Sequence, residues 1–124
     1  MIAVDTSTLV AFLAGDPGRD VEALDLAFAQ SQALLPPVVV TEALSAANAP
    51  ARLRDLLAGL PMLALTDGYW DRAGSLRRRI LAKGHRAALA DTLIAQVCID
   101  HEVPLLTRDA DFKHFAKVGG LALV

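Results

Sequence analysis

Five acidic residues in this 124-residue chain sit against apolar runs, where a carboxylate is hardest to explain as mere solubility. Asp5 closes the run Met1-Ile2-Ala3-Val4, and Glu42 interrupts the apolar stretch that begins at Val38. Asp91 lies early in the periodic stretch Leu89 to Asp100, and Asp109 and Asp111 follow Pro104-Leu105-Leu106-Thr107. Burying a carboxylate among Val, Leu, Ile and Ala is costly unless a proton or a cation neutralises it. Two carboxylates about 4 Å apart repel by roughly 4 kcal/mol at an effective dielectric of about 20. A divalent cation reverses the sign of that interaction. Oxygen-only ligands, with no Cys/His set at zinc spacing, point to Mg²⁺ or Mn²⁺.

Taken singly, each residue also has a plainer role. An Asp after a strand is often a turn or cap residue, and Glu near a helix start gains from the helix dipole. Asp91 is the most informative. Its helical neighbours three, four and seven residues on are Ile94, Ala95 and Cys98, so it stands on an apolar column unless it is an N-cap with Leu89 and Ala90 outside the helix. Asp109 or Asp111 is expected to cap a helix starting near residue 110.

The elements that must position these groups are legible as alternating strands and helices. Residues 1–5 read as a strand, followed by a helix over about 8–14 that Thr6, Ser7 or Thr8 caps, then a turn over residues 15–18. A second helix runs from Val21 to about Ser31, a short strand covers 33–35 and Pro36-Pro37 stops it. Helices over roughly 38–48 and 51–58, a strand over 62–65, and helices over 69–83 and 88–102 follow. A strand over 104–107, a helix over about 110–117 and a strand over 121–124 complete the pattern. Short strands that are apolar throughout, alternating with helices, imply a parallel sheet covered on both faces. In such sheets functional groups gather beyond the carboxyl ends of the strands, which brings Asp5 near Thr107–Asp111 despite their separation in the chain.

Composition narrows the class. One domain is expected, with no repeat, linker or low-complexity segment. At 54% hydrophobic residues the chain has either a tight core or an apolar surface that a partner covers. No apolar run approaches a membrane span, and no basic segment precedes the first strand, so neither membrane insertion nor a secretory signal is expected. The single cysteine, Cys98, excludes an internal disulfide, fits a cytoplasmic location and reads as a small buried hydrophobe. Net charge is −2, yet Arg72, Arg77, Arg78, Arg79, Lys83, His85 and Arg86 fall in one stretch, either a solvated helix face or a track for a phosphodiester backbone. His85, His101 and His114 are too dispersed to suggest a site.

Four motifs in order give the chain a family resemblance: Ile2-Ala3-Val4-Asp5-Thr6-Ser7, Glu42 after Pro36-Pro37-Val38-Val39-Val40-Thr41, Ala90-Asp91-Thr92-Leu93-Ile94-Ala95, and Leu106-Thr107-Arg108-Asp109-Ala110-Asp111-Phe112. Over essentially its whole length the sequence resembles PIN-domain ribonucleases, and more narrowly the VapC toxins of type II toxin–antitoxin modules. The resemblance implies a three-layer α/β/α fold with a short, mainly parallel central sheet. It implies one or two Mg²⁺ or Mn²⁺ ions held by Asp5, Glu42, Asp91 and Asp109, with Asp111 at the second acidic position of the last motif and Ser7 and Thr107 at accompanying hydroxyl positions. Metal-assisted hydrolysis of RNA, tRNA or another structured RNA, is the implied activity. In it Asp5 and Asp91 are central ligands, Glu42 orients or deprotonates water, and Asp109 or Asp111 completes the outer shell. Arg79, Lys83 and Arg86 are candidate RNA-backbone contacts. A VapB-like antitoxin and a homodimer are the implied partners, with Leu9, Phe12, Leu13 and residues 38–57 as candidate interface.

Two other readings compete. Phosphotransferases of the haloacid-dehalogenase type also use an Asp after a strand, but they need an acid two residues on, where Ser7 stands, and a response-regulator receiver needs an N-terminal acidic pair. A catalytically inert PIN-like module that binds RNA or protein is the more serious alternative.

Overall fold

Ile2–Val4 has no polar residue to offer solvent, and in the computed structural model, which describes residues 1–124, it forms the central strand β1. Strands β2 (Ala33–Leu34) and β3 (Leu105–Leu106) flank it in the order β2-β1-β3, both parallel. Ile2 stands opposite Ala33, and Ala3 and Val4 stand opposite Leu105 and Leu106. Single parallel bridges, Leu35 with Met62 and Leu105 with Leu123, widen the sheet at each side. The strands expected over 62–65 and 121–124 are thus reduced to one pairing each. Their apolar residues do not supply the burial a strand needs, since only Leu63 and Leu121 of these stretches are buried.

Seven helices cover the sheet: α1 (Thr6–Ala14), α2 (Arg19–Ala29), α3 (Pro37–Leu44), α4 (Ala51–Ala58), α5 (Tyr69–Ala82), α6 (Leu89–Asp100) and α7 (Phe112–Gly119). The result is the three-layer α/β/α arrangement. α1 starts earlier than its spacing predicts, which puts Asp5 at its N-cap position and Thr6 and Ser7 inside its first turn. Gly15, in the left-handed region at φ 73°, ends it. α3 opens with Pro37 at its first turn and stops at Leu44 instead of continuing to about 48. The Ser45 hydroxyl donates to the Thr41 carbonyl there, a local bond that competes with helix propagation. α5, α6 and α7 pack on one another, while α1 packs on α2 and α3.

Ala3, Val4, Leu105 and Leu106 are buried beneath Leu9, Leu24, Val39, Leu76, Ile80, Ile94, Phe112 and Phe115. Each such large apolar side chain is worth roughly 1.5–3 kcal/mol of transfer free energy. Two polar links tie the longest helices together. Tyr69 donates its hydroxyl to the Leu93 carbonyl at 2.6 Å, and Arg72 makes a two-point contact with Asp100 at 2.9 and 2.7 Å. Because the chain begins in the middle strand, crosses to β2 and only later reaches β3, its connections diverge on either side of β1. That divergence opens a crevice at the carboxyl ends of β1 and β3.

Candidate metal centre

The crevice holds the acids. Backbone pairing carries β1 up to Asp5, whose N–H donates to the Leu106 carbonyl at 2.9 Å, so Asp5 and Thr107 leave the sheet side by side. Asp5 is only 4% exposed, and one of its oxygens, Oδ2, accepts hydrogen bonds from Ser7 Oγ (2.7 Å) and Thr107 Oγ1 (2.8 Å). Both hydroxyls fall on the same oxygen, which leaves Oδ1 for a cation. The hydroxyls are themselves held: the Arg108 N–H donates to Ser7 Oγ at 3.1 Å and the Asp109 N–H to Thr107 Oγ1 at 3.0 Å. Ser7 and Thr107, singled out in the sequence, therefore orient Asp5.

Glu42 reaches the crevice from α3, where Thr6 Oγ1 donates to its Oε1 at 2.9 Å. Asp91 comes from the first turn of α6. Ala88 is the N-cap of that helix, so Asp91 is the third helical residue and not a cap. Asp109 and Asp111 come from the loop after β3. Neither caps α7 with its side chain, but Asp109 Oδ1 accepts from the Asp111 N–H at 2.9 Å, which closes the turn and delays the helix to Phe112. Carboxylate oxygens of Asp91, Asp109 and Asp111 all lie within 4.8 Å of one another. Asp5 and Glu42 fall outside this close set, although the sequence pattern made Asp5 and Asp91 the central pair.

Electrostatics ties all five together. The Asp91 carboxyl is pushed up to about 7, first by burial and then by the negative charges of Asp109, Asp5, Glu42 and Asp111. No base relieves this repulsion, because the two ion pairs of the chain, Arg72–Asp100 and Arg108–Asp20, both lie elsewhere. A donor set made only of carboxylate oxygens, crowded and without basic partners, fits a hard dication.

Several neighbours carry no signal in the sequence. Arg108 sits between Thr107 and Asp109 yet turns away from the acids and grips Asp20 of α2 at 2.7 and 2.9 Å, with Thr8 Oγ1 donating to Asp20 as well. That pair pins the loop after β3 against α2. The Arg108 guanidinium holds the Asp20 carboxyl down at about 2. Nothing local in the sequence joins residues 88 apart. Thr6 could have been suspected from its place beside Asp5 on the first turn of α1.

The basic stretch is divided. Arg72 is spent on Asp100, and Arg77 donates to the Ala87 carbonyl at 2.8 Å. Arg79, Lys83 and Arg86 are exposed, Arg79 with one long bond to the Val118 carbonyl at 3.4 Å. The histidines correct the expectation of dispersion: His85 and His114 stack with ring centroids 4.4 Å apart, because the α5–α6 loop lies against α7. Cys98 is buried, as expected, and burial pushes its thiol up to about 12, which suits a packing role. Of the expected interface residues, Leu9 is wholly inside this chain's own core, whereas Phe12 and Leu13 are partly exposed.

The sequence profile of the PIN domain matches residues 2–118, and these include all five acids. The chain belongs to the PIN-domain family. Three solved structures share its fold. VapBC2 from Rickettsia felis, solved bound to a DNA fragment from its promoter, aligns over 100% of this chain and 98% of that one, with a TM-score of 0.78 and 22% identity. FitAcB from Neisseria gonorrhoeae aligns over 99% and 96%, with a TM-score of 0.69 and 20% identity. A toxin–antitoxin complex from Klebsiella pneumoniae aligns over 98% and 96%, with a TM-score of 0.67 and 19% identity. A search of curated protein sequences gives no match. No helix of this PIN domain is long and apolar enough to cross a membrane.

Proposed function

We propose that this PIN domain is a metal-dependent endoribonuclease of the VapC toxin type, acting in the cytoplasm on tRNA or another structured RNA and silenced by a VapB-like antitoxin. PIN domains are generally nucleases. The observation that carries the reading is the close set of Asp91, Asp109 and Asp111 beside Asp5 and Glu42, five carboxylates with no basic partner.

On this reading Asp5, Asp91 and Asp109 or Asp111 hold one or two Mg²⁺ or Mn²⁺ ions. Bound there, the metal supplies charge neutralisation at the phosphodiester and a water acidified toward neutral pH. The protein's own residues do the rest. Ser7 and Thr107 hold Asp5 so that its free oxygen faces the crevice. Glu42, oriented by Thr6, takes the proton from the attacking water or aligns that water with the scissile bond. Arg79, Lys83 and Arg86 supply the cationic surface along which the RNA backbone lies.

The partner half of the proposal rests on the kinship of the fold with proteins solved as toxin–antitoxin complexes. An apolar groove of about 460 Å³ between α1, α3 and α4, lined in part by Val10, Leu13, Ala43 and Leu53, supports an antitoxin or a second copy docking on that face.

The test is cleavage of tRNA or a structured RNA by purified protein in Mg²⁺ or Mn²⁺, with Asp5→Asn and Asp91→Asn alongside. Cleavage by the wild type and by neither variant is the expected result. Equal products from all three, or from none, would overturn the enzyme and leave an inert binding module.

A further inference from the structure

One contact joins two segments that flank the acids along the chain and has no hydrogen bond to their carboxylates: the stacked pair His85 and His114. The rings are nearly parallel, with 13° between their planes and centroids 4.4 Å apart, and both side chains are half-buried. The two histidines belong to different elements. His85 sits in the connection between α5 and α6, just after Gly84, which takes the left-handed conformation at φ 79°. His114 sits in the first turn of α7, and its N–H donates to the Asp111 carbonyl. The stack therefore joins the loop that leads into Asp91 to the turn that carries Asp109 and Asp111.

What the loop presents matters more than the rings. Lys83 and Arg86 bracket His85, and Lys113 adjoins His114; all three are exposed and none is in an ion pair. The loop has other restraints: Lys83 and Gly84 donate their N–H groups to the Ile80 and Leu81 carbonyls, and Ala87 is buried in the core. The His85 N–H donates to the Ile80 carbonyl at 3.3 Å, and Arg77 Nε donates to the Ala87 carbonyl at 2.8 Å. Both fix its ends to α5, and neither fixes its distance from α7. The imidazole stack is a direct side-chain contact between the loop and α7. Along the chain Arg86 comes five residues before Asp91 and Lys113 two after Asp111, and cations flanking an acid set suit a polyanion whose backbone crosses it.

We infer that the His85–His114 stack is a positioning device that pins the cationic α5–α6 loop beside the acid cluster and so aligns the phosphate backbone of the RNA substrate. The inference rests on the proposed ribonuclease reading. His85 and His114 act through Lys83, Arg86 and Lys113 and not through the metal. Stacking requires two flat rings, so a phenylalanine serves as well as a histidine at position 114, whereas an alanine does not.

Two readouts test it. In steady-state RNA cleavage, His114→Ala is expected to raise KM about twofold to tenfold, the range of an aromatic pair, with kcat within about twofold of wild type. His114→Phe is expected to restore KM. In limited trypsin digestion without RNA or metal, His114→Ala is expected to be cut faster after Lys83 and Arg86, and His114→Phe at the wild-type rate. An unchanged KM in His114→Ala, a fall in kcat alone, or a phenylalanine variant that behaves like the alanine one would overturn the inference. Wild-type protein that cleaves no RNA would overturn the ribonuclease reading and the substrate part of the inference with it, while the trypsin rates still decide whether the stack pins the loop.

Discussion

Asp91→Asn separates a metal site from an accidental acid cluster, because it predicts a stabilised protein that has lost its metal response. The Asp91 carboxyl titrates near 3.8 in the unfolded chain and at about 7 in the fold. Between those values the folded state holds a proton that the unfolded state has released, so stability falls as pH rises from about 4 to 7, and the full cost is present at pH 8. At about 1.36 kcal/mol per pKa unit the cost is capped near 4 kcal/mol. Asp91 is only partly buried, and water screens its neighbours, so about 2 kcal/mol is the working figure. Asparagine has the same shape without the charge. In EDTA at pH 8, Asp91→Asn should raise Tm by about 6–10 °C for a domain of this size, and at pH 4 the two proteins should melt together. Saturating Mn²⁺ should reverse the order, since an ion at about 100 times its Kd adds about 2.7 kcal/mol to the wild type and little to the variant. Thermal melts at the two pH values, each with EDTA and with Mn²⁺, read all of this. A variant that melts no higher than wild type in EDTA at pH 8, with equal Mn²⁺ shifts in both, would refute the reasoning.

Two further outcomes probe the scaffold of the site. Thr107→Val removes both the bond to Asp5 and the acceptor for the Asp109 N–H, so it should cost about 1–2 kcal/mol in urea denaturation and weaken Mn²⁺ binding about tenfold by calorimetry. Asp20→Asn breaks the clamp with Arg108. Because the folded Asp20 carboxyl lies below its unfolded value, the clamp stabilises above about pH 4 and is lost as pH falls toward 2. The variant should be less stable than wild type at pH 7 and no less stable at pH 2, as urea midpoints at the two pH values will show.

The residues that carry chemistry were the most legible part of the chain, for a physical reason. A carboxylate amid Val, Leu and Ala contradicts its surroundings, and Asp5, Glu42 and Asp91 were each visible as that contradiction. Alternating apolar segments also gave the α/β/α order, and the parallel sheet then predicted that Asp5 and Thr107 meet. The edge pairings at Met62 and Leu123 were overread, because apolar composition does not say whether a residue has anything to pack against. Arg108 gripping Asp20 and His85 stacking on His114 were invisible, since each is a long-range choice among several equivalent partners.

The acids are not equivalent, and the difference says how the site should take up a cation. Asp5 is held by two hydroxyls, Glu42 by one, and Asp109 by a backbone N–H. Asp91 has no such donor; burial and four like charges act on it. It is therefore the position at which a proton and a dication compete. Entry of the ion must expel that proton wherever Asp91 is protonated, below about pH 7, and needs to expel none well above it. Calorimetric Mn²⁺ titrations in buffers of different ionisation enthalpy should show close to one proton released per ion at about pH 6, and close to none at about pH 8.5. Apparent affinity should rise up to tenfold per pH unit below about 7 and level off above. Proton release that is the same at both pH values would mean that Asp91 is not where the ion binds, whatever RNA the protein cuts.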